Sequence, residues 1–335
     1  MAVAERPVLV APDSFKGTFG APAVAGAIGR GLERAGLMPP DLCPVADGGE
    51  GTLDALLPQL GGELIAVEVQ DPLGREIRAG LGLVEDGGTA IVEMAAASGL
   101  GLVAEDERDA WAASTYGTGQ LIAAAVEAGA QVILVAVGGS ATTDGGAGAV
   151  EAIADAGGLR GAQLVVLCDV RTVFEDAPRV FGPQKGADAD MVVRLRERLD
   201  RLAATFPRDP RGVPMTGCAG GLSGGLWAAY GAVLEPGAKW VLDALDFDER
   251  MRASRAVVTG EGKLDEQTLE GKLVGEIGTR ARQAGVPLHA IVGTDALDPF
   301  GKRIIDLQRT LEATDLAELE AAGEALGRDL AEGRA

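Results

Sequence analysis

Aromatic side chains make up only 4% of the 335 residues, and histidine occurs once. So few aromatics weaken any reading in which bases stack or a ring cage binds a cation. The lone histidine, His289 in the strand-like run "VPLHAIVG", argues against a histidine triad or metal cluster and is expected to be a core or edge-strand imidazole. Cys43, Cys168 and Cys218 are far apart in sequence and form no C-x-x-C pair. Neither a zinc knuckle nor a disulfide framework is supported, and all three are expected to be reduced and structural. No apolar run approaches the roughly 18 residues of a membrane helix. The opening "MAVAERPVLVAPD" carries no signal peptide. Basic residues are also short: 30 Lys and Arg face 50 Asp and Glu, for a net charge of −20. That field repels nucleic acid, and no basic run offsets it. The expectation is a cytoplasmic protein with neither a nucleic-acid nor a membrane partner; oligomeric state is not legible.

What the chain does contain is apolar residues (47%), 50 glycines and enough length for two domains. The first sixty residues read as strand "PVLVAP", a helix from about Ala21 to Gly36, strand "DLCPVA" and a helix toward Leu57, the β-α-β-α texture of a parallel sheet. From Gly62 to Met94 three strand-like runs are separated only by "PLG" and "DGG", so an antiparallel or mixed sheet is expected there. Helical periodicity returns in "GQLIAAAVEAG", with Gly129 as its stop. Strand–helix alternation then resumes, and "RAVVTGEG" through "GVPLHAIVG" restores the parallel texture. The tail carries a D-x-x-E capping box at Asp315. The fold class predicted is α/β: a Rossmann-like parallel domain built from both termini (1–65 plus 235–335), with a second mixed-sheet α/β domain inserted (66–234).

Six strand-to-loop junctions repeat one theme. They are "APDSFKGT", "ADGGEGT", "GGSATTDGGAG", "CDV", "GPQKGA" and "TGEGKLDEQTLEGK". Ligands of open α/β sheets bind beyond the carboxyl ends of the strands. Glycine lets backbone amides approach an anion, and a helix start adds positive potential. The candidate binding groups are therefore Asp13 and Ser14; Gly48, Gly49, Glu50, Gly51 and Thr52; Gly138, Gly139, Ser140, Thr142, Asp144 and Gly145; Asp169; and Gly260, Glu261 and Gly262. There is neither a Walker lysine nor a G-x-G-x-x-G in the 138–148 loop, so this loop is expected to hold an anion on the amides of the helix that follows Asp144.

Of the six lysines, Lys16, Lys185, Lys263, Lys272 and Lys302 each adjoin a glycine. A mobile point charge suits a phosphate; an exposed turn residue is the competing reading. Lys16 and Lys185 are expected to neutralise phosphate or carboxylate charge, with Lys272 next. Replacing either of the first two by alanine should lower turnover about tenfold or more and spare the thermal melt. Phosphoryl transfer also needs one carboxylate for a metal and another to orient or deprotonate the attacking hydroxyl. Asp47 and Asp265 are the first candidates, either being the metal ligand, and Asp144 is third because it could equally cap its own helix.

These loops, with "EMAAASGL" and "TYGTG", together resemble the bacterial-type glycerate kinase family, in order from about Val8 to Gly293. The resemblance implies ATP-dependent phosphorylation of D-glycerate with Mg²⁺, giving 2-phosphoglycerate rather than 3-phosphoglycerate, in a cleft between a Rossmann-like and an inserted domain. Departures are a short "GLRGA" after Gly157, "RTVFEDAPR" directly after "CDV", and an abbreviated stretch after Gly293. Two rival readings stand beside it: a non-catalytic organic-acid or nucleotide sensor, and a kinase for a related hydroxy or sugar acid.

Overall fold

Val8–Pro12 has no charged side chain and five buried residues, and it forms the first strand, β1. The computed structural model describes residues 6–15, 17–270 and 272–334, without the side chains of Gln267 and Glu270. Lys16 therefore lies outside the described residues. After β1 come β2 (Asp41–Leu42), β3 (Glu63–Gln70), β4 (Glu76–Val84) and β5 (Thr89–Glu93). Next are β6 (Val132–Ala136), β7 (Gln163–Cys168) and β8 (Val233–Pro236). The last are β9 (Ala256–Gly260), β10 (Lys263–Leu264), β11 (Leu288–Val292), β12 (Thr294–Asp295) and β13 (Leu307–Glu312). The chain divides into two compact units. One holds the chain up to Asp47, Asp54–Leu56 and everything from Ala238; the other holds Gly48–Leu53 and Leu57–Gly237.

The first unit carries a sheet in the order β13-β11-β9-β1-β2, with every neighbouring pair parallel. Its strands come from both ends of the chain. The run "DLCPVA" contributes only two strand residues, because Pro44 has no N–H to donate. The chain nevertheless stays beside β1, with Cys43 N donating to Val10 O at 2.8 Å and Val45 N to Pro12 O at 3.1 Å. Helix Ala21–Arg34 crosses the C-terminal helix Leu316–Ala331. Glycines permit the approach: a Cβ on Gly31 would sit 2.1 Å from Glu320 O, and one on Gly323 would sit 2.5 Å from Ile28 O. Ile28, Leu32, Val258, Ile291, Leu319 and Leu326 fill the space between sheet and helices, each worth roughly 1.5–3 kcal/mol on burial. At the start of the C-terminal helix Asp315 accepts from Glu318 N, but the Glu318 carboxylate turns to Thr314 N and Oγ1 rather than to Asp315. His289 lies in a central strand with both ring nitrogens unpartnered, and burial, then the Arg309 charge, pulls its pKa to about 4. It is a neutral core residue at physiological pH.

In the second unit the sheet runs β3-β4-β5-β6-β7-β8. Its first three strands pair antiparallel and its last four parallel, so the sheet is mixed. Helix Tyr116–Glu127 covers it with Leu121, Ile122 and Ala125. All three cysteines are buried free thiols. Among the described residues no helix is long and apolar enough to cross a membrane.

Candidate active site

Parallel strands deliver their carboxyl ends to the same side, and in the first unit the loops there enclose a cavity of about 520 Å³. The turn after β1 supplies Asp13 and Ser14; the Asp13 amide donates to Gly260 O at 2.8 Å, and Asp13 Oδ1 accepts from Ser14 N at 2.7 Å. Asp47 is 5% exposed and lines the same space. The loop after β9 brings Glu261, Gly262, Lys263 and Asp265. Thr268 Oγ1 fixes Glu261 at 2.7 Å, and Lys263 Nζ pairs with Asp265 Oδ2 at 3.0 Å. Lys272 lies at the cap of helix Leu273–Ala284, which has no side-chain cap of its own. Four carboxylates and two lysines thus face one space, at a helix start that favours anions. Gly260 ends β9 just behind them.

The 138–148 loop lies in the second unit and is built from within. Gly138 packs against Gly49 so closely that a Cβ would meet Gly49 Cα at 2.6 Å. Val137 N donates to Gly48 O at 3.0 Å, and Thr52 Oγ1 to Gly49 O at 2.7 Å. Gly139 sits against the Glu50 carboxylate. Gly51 is the left-handed residue before helix Thr52–Leu60, and Asp169 follows β7, the strand beside β6.

Asp144 is 1% exposed. Its Oδ2 accepts from Thr115 N (2.9 Å), Thr115 Oγ1 (2.8 Å) and Gly148 N (3.2 Å), and its Oδ1 from Gly146 N (3.1 Å). Gly145 N donates to Gly220 O and Ala149 N to Thr115 Oγ1. The expectation of an anion on these amides is therefore corrected. The donors at the start of helix Ala147–Asp155 already have acceptors, the Asp144 carboxylate foremost, and Asp144 acts as the cap.

Lys185 also differs from a mobile surface charge. It is 1% exposed, and its Nζ donates to Ser140 Oγ at 2.7 Å and Thr142 O at 2.6 Å. Burial pulls its pKa from 10.5 to about 7, against the opposing charge of Asp144. It cannot reach out to a phosphate from there; it aims the Ser140 hydroxyl.

Residues 8–157 and 155–318 match the Glycerate kinase family. The chain belongs to the glycerate kinase family. It is accordingly a kinase. A glycerate kinase of Bacillus subtilis is 39% identical, over 87% of this chain and 86% of its own. The glycerate 2-kinase of Escherichia coli is 37% identical, over 86% and 85%. A crystal structure from Salmonella typhimurium LT2 assigned to glycerate kinase 2 superposes with a TM-score of 0.84 at 32% identity, covering 98% of this chain and 99% of that one.

For a member of the glycerate kinase family the two regions have different chemical means. The cavity offers hard oxygen donors and two ammonium groups, the equipment for a metal and phosphates. The 138–148 loop offers the Ser140 hydroxyl, held in place by a buried lysine that also binds the Thr142 carbonyl. Thr268 at the cavity lies within "TGEGKLDEQTLEGK" and Thr115 opens "TYGTG", but neither carries a chemical signal of its own in the sequence.

Proposed function

We propose that the chain transfers the γ-phosphoryl group of ATP, with Mg²⁺, to a hydroxyl of D-glycerate, with 2-phosphoglycerate favoured. The observation that carries this reading is the cavity in which Asp13, Asp47, Glu261 and Asp265 meet Lys263 and Lys272, in a chain of this family. The name of the E. coli relative, glycerate 2-kinase, favours attack by O2.

Mg²⁺ needs only one or two protein carboxylates beside waters and phosphate oxygens. The cavity suits such shared coordination: it has carboxylates enough, while no cluster of three or more metal-ligating side chains stands ready among the described residues. Asp47 or Asp265 is the proposed ligand, and the bound ion would neutralise charge on the phosphates. The other of the two accepts the proton of the attacking hydroxyl on a carboxylate oxygen. Lys272 and the helix start behind it hold phosphate oxygens, and Lys16 is proposed to add further charge. Gly138, Gly139, Ser140 and Thr142 orient the substrate, and Lys185 acts through Ser140 as a positioning residue. Residues 1–65 with 235–335, and 66–234, are the proposed functional domains.

Phosphorus and carbon NMR of the product from D-glycerate, beside a panel of hydroxy and sugar acids, tests the reading. The expected product is 2-phosphoglycerate. Turnover of another acid but not glycerate would make the chain a sugar-acid kinase. Tight ATP binding without turnover of any acid would make it a sensor.

A further inference from the structure

Both hydroxyls of glycerate recur in glycerol, whose third replaces the carboxylate, so a kinase that selects the acid gains by recognising the carboxylate. In a protein of net charge −20 that recognition needs a local cation, and a guanidinium matches a carboxylate with two parallel hydrogen bonds. Lys185 is not that cation, since burial disfavours its charge and its Nζ is turned inward to Ser140 Oγ and Thr142 O. Three other arginines are already engaged by acids: Arg75 pairs with Asp71 and Glu107, Arg250 with Asp41, Arg280 with Asp243 and Glu276.

Arg108 is different. Its Nε is shielded from water and has no hydrogen-bond partner, an arrangement that is unfavourable until an acceptor is supplied. The stretch eight to ten residues before it borders the 138–148 loop. Gly99 bridges to Ser140, Leu100 N donates to Gly139 O at 2.8 Å, and Ala141 N donates to Ser98 O at 3.0 Å. The Arg108 backbone lies against the turn after Lys185: a Cβ on Gly186 (φ +90°) would sit 2.9 Å from Arg108 O and 3.2 Å from Arg108 Cβ. The hydroxyls of Thr142 and Thr143 in the same loop are buried and equally unpartnered. The segment is also held still. Asp109 Oδ1 caps Trp111 N at 2.9 Å, Arg198 Nη1 donates to Trp111 O at 2.7 Å, and Arg194 and Arg198 stack on the Trp111 ring. A fixed backbone beneath a guanidinium whose Nε lacks an acceptor is preorganised for a planar anion.

We propose that Arg108 is a specificity-determining residue that binds the carboxylate of the acid substrate. This rests on the glycerate kinase reading and names the group that selects an acid over a polyol.

The test compares wild type with Arg108→Lys and Arg108→Met, using D-glycerate, its methyl ester and glycerol. Calorimetry measures D-glycerate binding, and steady-state kinetics measure turnover. Loss of a charged hydrogen bond should weaken D-glycerate binding and raise its KM about tenfold or more, with the KM for ATP unchanged. The ester, which has no charge to lose, should be affected little, so the preference for acid over ester collapses. Arg108→Lys keeps the charge without the fork and should fall between the two, which separates recognition from a folding defect. If wild type phosphorylates glycerate and both variants keep its KM and its preference over the ester, the inference is overturned while the kinase reading stands. If wild type binds D-glycerate, loses it in Arg108→Met and yet transfers no phosphate, the inference stands and the kinase reading fails. Absence of D-glycerate binding to wild type would overturn the inference.

Discussion

Lys185→Met replaces the buried ammonium by an apolar side chain of similar length. The folded protein holds Lys185 near pKa 7 because burial disfavours its charge, whereas the ordinary value is 10.5. The unfolded chain therefore binds more protons than the folded one between those values, and stability rises with pH across that window. From pH 7 to pH 9 the rise amounts to about 2 kcal/mol from this one group. The variant lacks it, and contributions of titrating groups remote from Lys185 cancel in the difference between the two proteins. At fixed pH two opposing effects set the sign: methionine removes the desolvated charge, but leaves Thr142 O and Ser140 Oγ without their donor, at about 1–3 kcal/mol. The slope is the cleaner reading. Urea unfolding of both proteins at pH 7, 8 and 9 would measure it. Wild type should gain about 2 kcal/mol on the variant over that range; parallel pH profiles would refute the burial argument. Burial also corrects the expectation that Lys185→Ala spares the melt, because a cavity opens where the side chain was, at a cost of about 2 kcal/mol or more.

Asp144→Asn keeps the shape but cannot accept at all the sites that Thr115, Gly146 and Gly148 use. It should cost about 3 kcal/mol of stability, visible in a thermal melt, and an unchanged melt would show that the cap is dispensable. Asp47→Asn and Asp265→Asn should divide by Mg²⁺ titration. The metal ligand should raise the Mg²⁺ requirement, and the proton acceptor should lose about 100-fold or more in turnover at every Mg²⁺ concentration. Normal turnover of both at limiting Mg²⁺ would mean the site is misplaced.

The fold class was legible because strands and helices leave different periods in the sequence. Apolar runs such as 132–136 and 164–168 are short and rich in Val, Ile and Leu, as buried strands are, and "PLG" and "DGG" leave no room for a crossover helix before β5. "DLCPVA" read longer than it is because its apolar pattern says nothing of the donor missing at Pro44. That Asp13, Asp47, Glu261, Asp265 and Lys272 face one cavity could be anticipated, since parallel strands send their carboxyl ends to one side. Contacts without local pattern could not. Thr115 is 29 residues from the carboxylate it binds, and Lys185 is 45 residues from Ser140. A lysine beside glycine looks mobile in sequence, and only tertiary packing makes it a core residue. Arg108 is one arginine among many until its unpartnered Nε is seen.

The most direct measurement is release of ADP by the purified protein supplied with ATP and Mg²⁺, with and without D-glycerate, before and after chelation of the metal. The expected result is ADP release that depends on D-glycerate, stops on chelation and returns when Mg²⁺ is restored. ADP release that is indifferent to D-glycerate, or none at all with Mg²⁺ present, would contradict a glycerate kinase acting through this cavity.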